Sequence, residues 1–156
     1  MIEPIRLSFT VPCDPAHAFE VWTDRISMWW PTSHSVSQDP DLVVTIEPWI
    51  GERIYERASD GTEHRWGEVT AWDPPRSFSY RWHLRQDPDD ATEVTVGFAD
   101  ADGGAEVRIE HRGWERLGDR GGELRERNTQ GWSGLLPHYE RRARLTIGNE
   151  MVTMPR

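Results

Sequence analysis

The stretch "HRWGEVTAWDPPRSFSYRWHLR", His64 to Arg85, decides the fold. It holds two strand-like runs, "HRWGEVTAW" and "SFSYRWHLR", and the first is stopped by Asp73-Pro74-Pro75. Proline cannot donate to a ladder, so the break between the runs is a turn. The second run alternates cleanly and sets Phe78, Tyr80, Trp82 and Leu84 on one face. An antiparallel sheet with one apolar face must bury that face under something else.

Reading outward, strands recur on both sides. Toward the N-terminus, "ERIYERA" (Glu52 to Ala58) runs into a turn at Asp60-Gly61, and "LVVTIEPW" (Leu42 to Trp49) ends at Gly51. The first strand is "IRLSFTV", with Ile5, Leu7, Phe9 and Val11 on a shared face. Asp14 then reads as an N-cap and Pro15 as a first helical residue, with Ala18, Phe19 and Trp22 at helical spacing. A second short helix over Asp24 to Trp30 is expected to stop at Pro31. Toward the C-terminus come "TEVTVGFAD" (Thr92 to Asp100), a turn at Asp102-Gly103-Gly104, and "AEVRIEHRGW" (Ala105 to Trp114). In the last strand Val107, Ile109 and His111 share a face.

The closing segment, Glu123 to Ile147, carries Trp132, Leu135, Leu136, Tyr139 and Ala143 at helical intervals. Pro137 is expected to kink or break it. The order is strand, two short helices, six strands and one long helix. It predicts an α+β fold, a curved antiparallel sheet of about seven strands around a long C-terminal helix, in one domain over residues 1–156. A sheet gripping a single helix leaves space at its open end, lined by inward aromatics.

Composition narrows the function classes. The chain has 156 residues with 18 basic and 27 acidic side chains, a formal net charge of -9. All the basic residues are arginine, and they alternate with acids as in "HRGWERLGDRGGELRERN". That pattern reads as a solvated face, and no basic stripe favours nucleic acid or anionic lipid as a partner. Nine Trp, four Phe and three Tyr supply the apolar area of a packed core. Neither a signal peptide nor a membrane span is evident in the sequence, so a soluble cytoplasmic protein is expected.

The landmarks match a known family. They are "VPCDPAHAFEVWTD", "ISMWWP", "IGERIYERASDGTEHRWGEVTAWDPPRSFSYRW", "TEVTVGF", "VRIEHRGW" and "GWSGLLPHY", in order over residues 5 to about 145. Together they resemble the START-like, or SRPBCC, superfamily, and within it the homologues of the activator of the heat-shock protein 90 chaperone ATPase. The resemblance implies a helix-grip fold enclosing a hydrophobic pocket. One departure is Trp49-Ile50-Gly51, where the family often carries two glycines.

Chemical signatures are sparse. The histidines are His17, His34, His64, His83, His111 and His138, with no metal-ligand spacing among them, and no metal or other cofactor is expected. No nucleophile elbow or phosphate loop is present. Cys13 at a strand-to-helix junction reads as a small residue in a tight corner, and His34 as a passenger in a polar lid loop. Glu56 and Glu68 are candidate carboxylates that alternation does not place. No catalytic residue is assigned.

The leading expectation is a binding protein for a hydrophobic or aromatic small molecule, held between sheet and long helix. Its ligand-binding residues are read as Trp30, Tyr80, Trp82, Phe98, His111, Trp132 and Leu136. Of the adjacent tryptophans, Trp29 is assigned to the core and Trp30 to the pocket mouth. Two other readings rank below it. One is a chaperone-regulator-like interaction domain, with a chaperone as partner. The other is a cyclase or hydrolase using His111 as general base. Edge strands and exposed aromatics leave room for a homodimer.

Overall fold

The computed structural model describes residues 2–153, and side chains up to residue 144. The helix side chains expected from Leu145 onward lie outside the described residues. The elements are β1 (Ile5–Val11), α1 (Pro15–Trp22), β2 (Val43–Ile46), β3 (Arg53–Arg57), β4 (Glu63–Asp73), β5 (Ser77–Trp82), β6 (Thr92–Ala101), β7 (Gly104–Arg112) and α2 (Gly121–Thr153). The seven strands form one antiparallel sheet in the order β1-β7-β6-β5-β4-β3-β2. This is the helix-grip arrangement, with α2 lying across the concave face.

Local chemistry explains the boundaries. The Asp14 carboxylate accepts from the His17 amide at 2.8 Å and caps α1, with Pro15 in its first turn. The second short helix is not α-helical. Its residues form a 3-10 turn over Ile26–Met28, and a second turn follows Pro31 at Thr32–His34. Pro31 lacks the amide that would carry the ladder onward. At the other end, α2 runs through Pro137. Proline leaves the Ser133 carbonyl without its helix donor, and Ser133 lies on an exposed part of the helix. Gly67 is required where β4 pairs closely with β5, because a Cβ there would lie 1.9 Å from the Arg81 carbonyl oxygen.

The core is an aromatic stack with two ends. At the closed end α1 sits against the sheet. Phe19 meets Phe78 and Phe98 edge-on at 5.8 and 5.4 Å, and Trp22 meets Tyr139 at 4.6 Å. The Tyr139 hydroxyl donates to the Ala18 carbonyl at 2.8 Å and fixes α1 on α2. Among the described residues no comparable helix covers the opposite end, where Glu56 of β3 and Arg85 after β5 hold the 31–38 loop. Among the described residues no helix is long and apolar enough to cross a membrane.

Candidate functional site

Trp29 and Trp30 diverge into different environments. The Trp29 indole is buried and donates to the Val21 carbonyl at 2.8 Å, with its ring against Trp22 and Tyr139. Trp30 is half-buried and donates to the His34 carbonyl at 2.9 Å. Its ring lies 5.0 Å from Trp66 and 5.9 Å from Trp82. Trp82 in turn meets Tyr80 at 5.7 Å. Trp30, Tyr80 and Trp82 form one wall of a cavity of about 430 Å³ at the open end of the sheet, with Trp66 packed behind Trp30.

The opposite wall comes from α2 and the turn before it, through Trp114, Leu117, Leu124, Gly131, Trp132 and Leu135. Polar groups gather at the mouth: Ser33, His34, Arg85, Gln86, Asp90, Arg127 and Asn128. An aromatic interior with a few polar groups at one end, in a volume of this size, is the ordinary form of a small-molecule site. Burial holds the Tyr80 hydroxyl protonated well above its usual range, so it is a neutral donor.

Of the residues expected to bind ligand, Trp30, Tyr80, Trp82 and Trp132 are brought together in this cavity, and Phe98, His111 and Leu136 are not. Phe98 sits six residues along β6 from the cavity residue Thr92, roughly 20 Å of strand, in the closed end beside Phe19 and Trp22. Leu135 and Leu136 diverge by about 100° around the helix, and the cavity lies on the Leu135 side.

His111 points inward as alternation predicts, but it is sealed behind the wall and fully buried. The Trp132 indole donates to its Nδ1 at 3.1 Å, and Nε2 lies 2.7 Å from the Thr92 hydroxyl oxygen. Nδ1 is therefore the acceptor, and the network assigns the proton to Nε2. Burial, with Arg112 adding repulsion, lowers its pKa to about 3, so the ring is neutral. With both nitrogens engaged, His111 orients Trp132 from behind and offers no free base to the cavity.

The loop over the mouth is fastened by a buried carboxylate. Glu56 points inward and accepts from the Val36 amide at 2.6 Å, the Ser37 amide at 3.0 Å, the Ser37 hydroxyl at 2.6 Å and the Trp66 indole at 2.8 Å. Burial raises its pKa, but these bonds outweigh it and hold the carboxyl below its ordinary value. Glu68 pairs outside the sheet with Arg81 at 2.6 Å and with His83 Nε2 at 3.0 Å, bracing the rim.

Two further lining residues are His34, expected from the sequence to be a passenger in the lid loop, and Arg85, to which the sequence assigned no role. His34 is not a bystander but part of the lining. Its Nδ1 lies 3.2 Å from the Ser33 hydroxyl, and its ring sits against α2 where Gly134 lacks a side chain. Partial burial lowers its pKa; the Gly131 backbone opposes this, and His138 and Arg85 add to it. Neither residue carries a spacing signal, because both reach the mouth through loop geometry. Among the described residues no group of three or more His, Cys, Asp or Glu is placed to hold a metal ion.

Comparison with known proteins fits this geometry. A family model described as Activator of Hsp90 ATPase homolog 1-like protein matches residues 12–138. A structure of Txn09, an anthrahydroquino-gamma-pyrone synthase complexed with SUM, is 34% identical, with a TM-score of 0.53, over 79% of this chain and 84% of that one. CalC from Micromonospora echinospora, a self-sacrificing resistance protein, is 28% identical, with a TM-score of 0.70, over 90% and 94% of the two chains. Protein MLL2253 from Mesorhizobium loti shares the fold, at 20% identity and a TM-score of 0.66 over 89% and 95%. No curated protein matches the chain.

Proposed function

Because the chain belongs to the Activator of Hsp90 ATPase homolog 1-like family, whose fold grips a cavity here, we propose that it binds an apolar aromatic small molecule between its sheet and α2. The observation that carries this reading is the cavity of about 430 Å³ walled by Trp30, Tyr80, Trp82 and Trp132. Burying a planar ligand there removes apolar area from water at about 25 cal/mol per Å², and the rings add stacking. The likeness to a synthase and a resistance protein supports a small-molecule role. The chaperone-regulator reading rests on the family description alone.

The test is a thermal-shift screen of planar compounds with two to four fused rings. A ligand that binds the folded state alone raises the melting temperature as its concentration rises above Kd. The control is Gly131→Phe, whose ring would occupy the cavity, since a Cβ there meets nothing within 4 Å. Shifts in the native chain that vanish in Gly131→Phe support the proposal. A screen without any shift, or shifts that survive the blocking substitution, refutes it.

A further inference from the structure

The cavity mouth carries a cation that the fold leaves unneutralised. Arg85 lines the cavity. Its guanidinium donates to the Ser35 carbonyl and, among the described residues, pairs with no carboxylate. Its neighbours differ. Arg81 is held by Glu68 at 2.6 Å, Arg120 by Asp90 at 3.3 Å, and Arg127 by Glu123 at 3.0 Å. Asp90, the acid that lines the cavity, is thereby taken, and Asp87 is turned onto the Asp89 amide at 2.9 Å. Arg116, Arg125 and Arg142 also bond without a carboxylate, but of the two arginines lining the cavity Arg127 is paired and Arg85 is not.

The backbone makes the same point. Arg85 adopts a left-handed conformation, with φ at 61°. Side chains other than Gly, Asn and Asp rarely take it, and it costs on the order of 1 kcal/mol. The turn after β5 thus holds a disfavoured conformation at a residue whose side chain lines the same cavity as Trp30 and Trp82.

Building on the binding reading, we infer that the occupant is an aromatic acid: its rings lie between the tryptophans, and its carboxylate, or an equally acidic enol or phenol oxygen, is received by Arg85. A guanidinium offers a planar fork of donors that matches such a group. The aromatic walls supply affinity, and Arg85 selects among flat molecules by charge.

The probes are anthracene-2-carboxylate and its neutral isostere anthracene-2-carboxamide, titrated by quenching of tryptophan fluorescence. The acid is expected to bind the native chain at least about tenfold tighter than the amide, the range of a charge-assisted hydrogen bond. Arg85→Asn, which tolerates the left-handed turn, should weaken the acid about tenfold more than it weakens the amide. Arg85→Lys should keep part of the preference. Equal binding of acid and amide, or a preference that survives Arg85→Asn, overturns the inference while the binding reading stands. Failure of both probes to bind counts against both. Melting curves of the variants show that each is folded.

Discussion

The Trp132 indole donates to Nδ1 of His111 at 3.1 Å, joining α2 to β7 through a side-chain pair with no solvent contact on the histidine. The bond explains why a titratable residue lies behind an aromatic wall. It holds the ring that forms the wall, and the Thr92 hydroxyl completes the chain at 2.7 Å.

Replacing His111 should therefore cost stability through the group it leaves unpaired. His111→Leu removes the acceptor of the buried Trp132 N–H, while the Thr92 hydroxyl keeps its bond to the Trp82 carbonyl at 3.4 Å. The orphaned indole costs about 1–3 kcal/mol. Urea unfolding should show a loss within that range, while a loss near zero would mean that the pair contributes nothing.

The same residue predicts a pH dependence. Burial holds the folded-state pKa of His111 at about 3, against 6.5 for the free group. Between those values the unfolded chain binds a proton that the folded chain does not, so stability rises with pH. It is fully present above the unfolded value and falls by about 1.4 kcal/mol per unit as the pH drops below it. The His111→Leu variant lacks this slope, so its deficit relative to the native chain should shrink from pH 7 to pH 5. A deficit constant across that range would contradict the assignment.

Glu56 should behave as the fastener of the mouth. Glu56→Gln replaces one acceptor oxygen by a donor facing the Val36 and Ser37 amides, which now lie 2.6 and 3.0 Å from the carboxylate. The expected cost is about 1–3 kcal/mol, together with faster hydrogen exchange at those two amides. Unchanged exchange would show that the loop is held by other contacts.

The glycines divide by surroundings. Gly131 and Gly134 lie in the interior of α2; a Cβ at Gly131 meets nothing, and at Gly134 it meets His34 Nε2 at an ordinary 3.5 Å. Alanine at either position should stabilise by about 0.5–1 kcal/mol. Gly67→Ala should destabilise by about 3 kcal/mol or more, because its Cβ collides with backbone that cannot move aside. Thermal unfolding of the three variants checks the signs.

Strand alternation and the spacing of α2 carry nearly all of the fold, since both are local periodicities written directly in side-chain order. Tyr80, Trp82 and Trp132 are legible as inward residues for that reason. Which end of the sheet is open is not local. It depends on α1 packing over Phe98, an arrangement visible only once Phe19 and Trp22 are placed. His34 and Arg85 escape for a related reason: each sits in a turn whose course is fixed by long-range bonds, Glu56 to the 36–37 amides and Arg85 to Ser35. His111 is legible as inward, but its sealing by Trp132 and Thr92 needs three elements in register.

The most direct measurement is a two-dimensional NMR titration of the native chain with a neutral three-ring aromatic, read at the nine tryptophan indole N–H signals. Binding in the cavity predicts perturbation at Trp30, Trp82 and Trp132, which line it, and none at Trp49, which is exposed on the β2–β3 turn and outside the lining. Signals that stay fixed at saturating ligand, or that move at Trp49 alone, would contradict it.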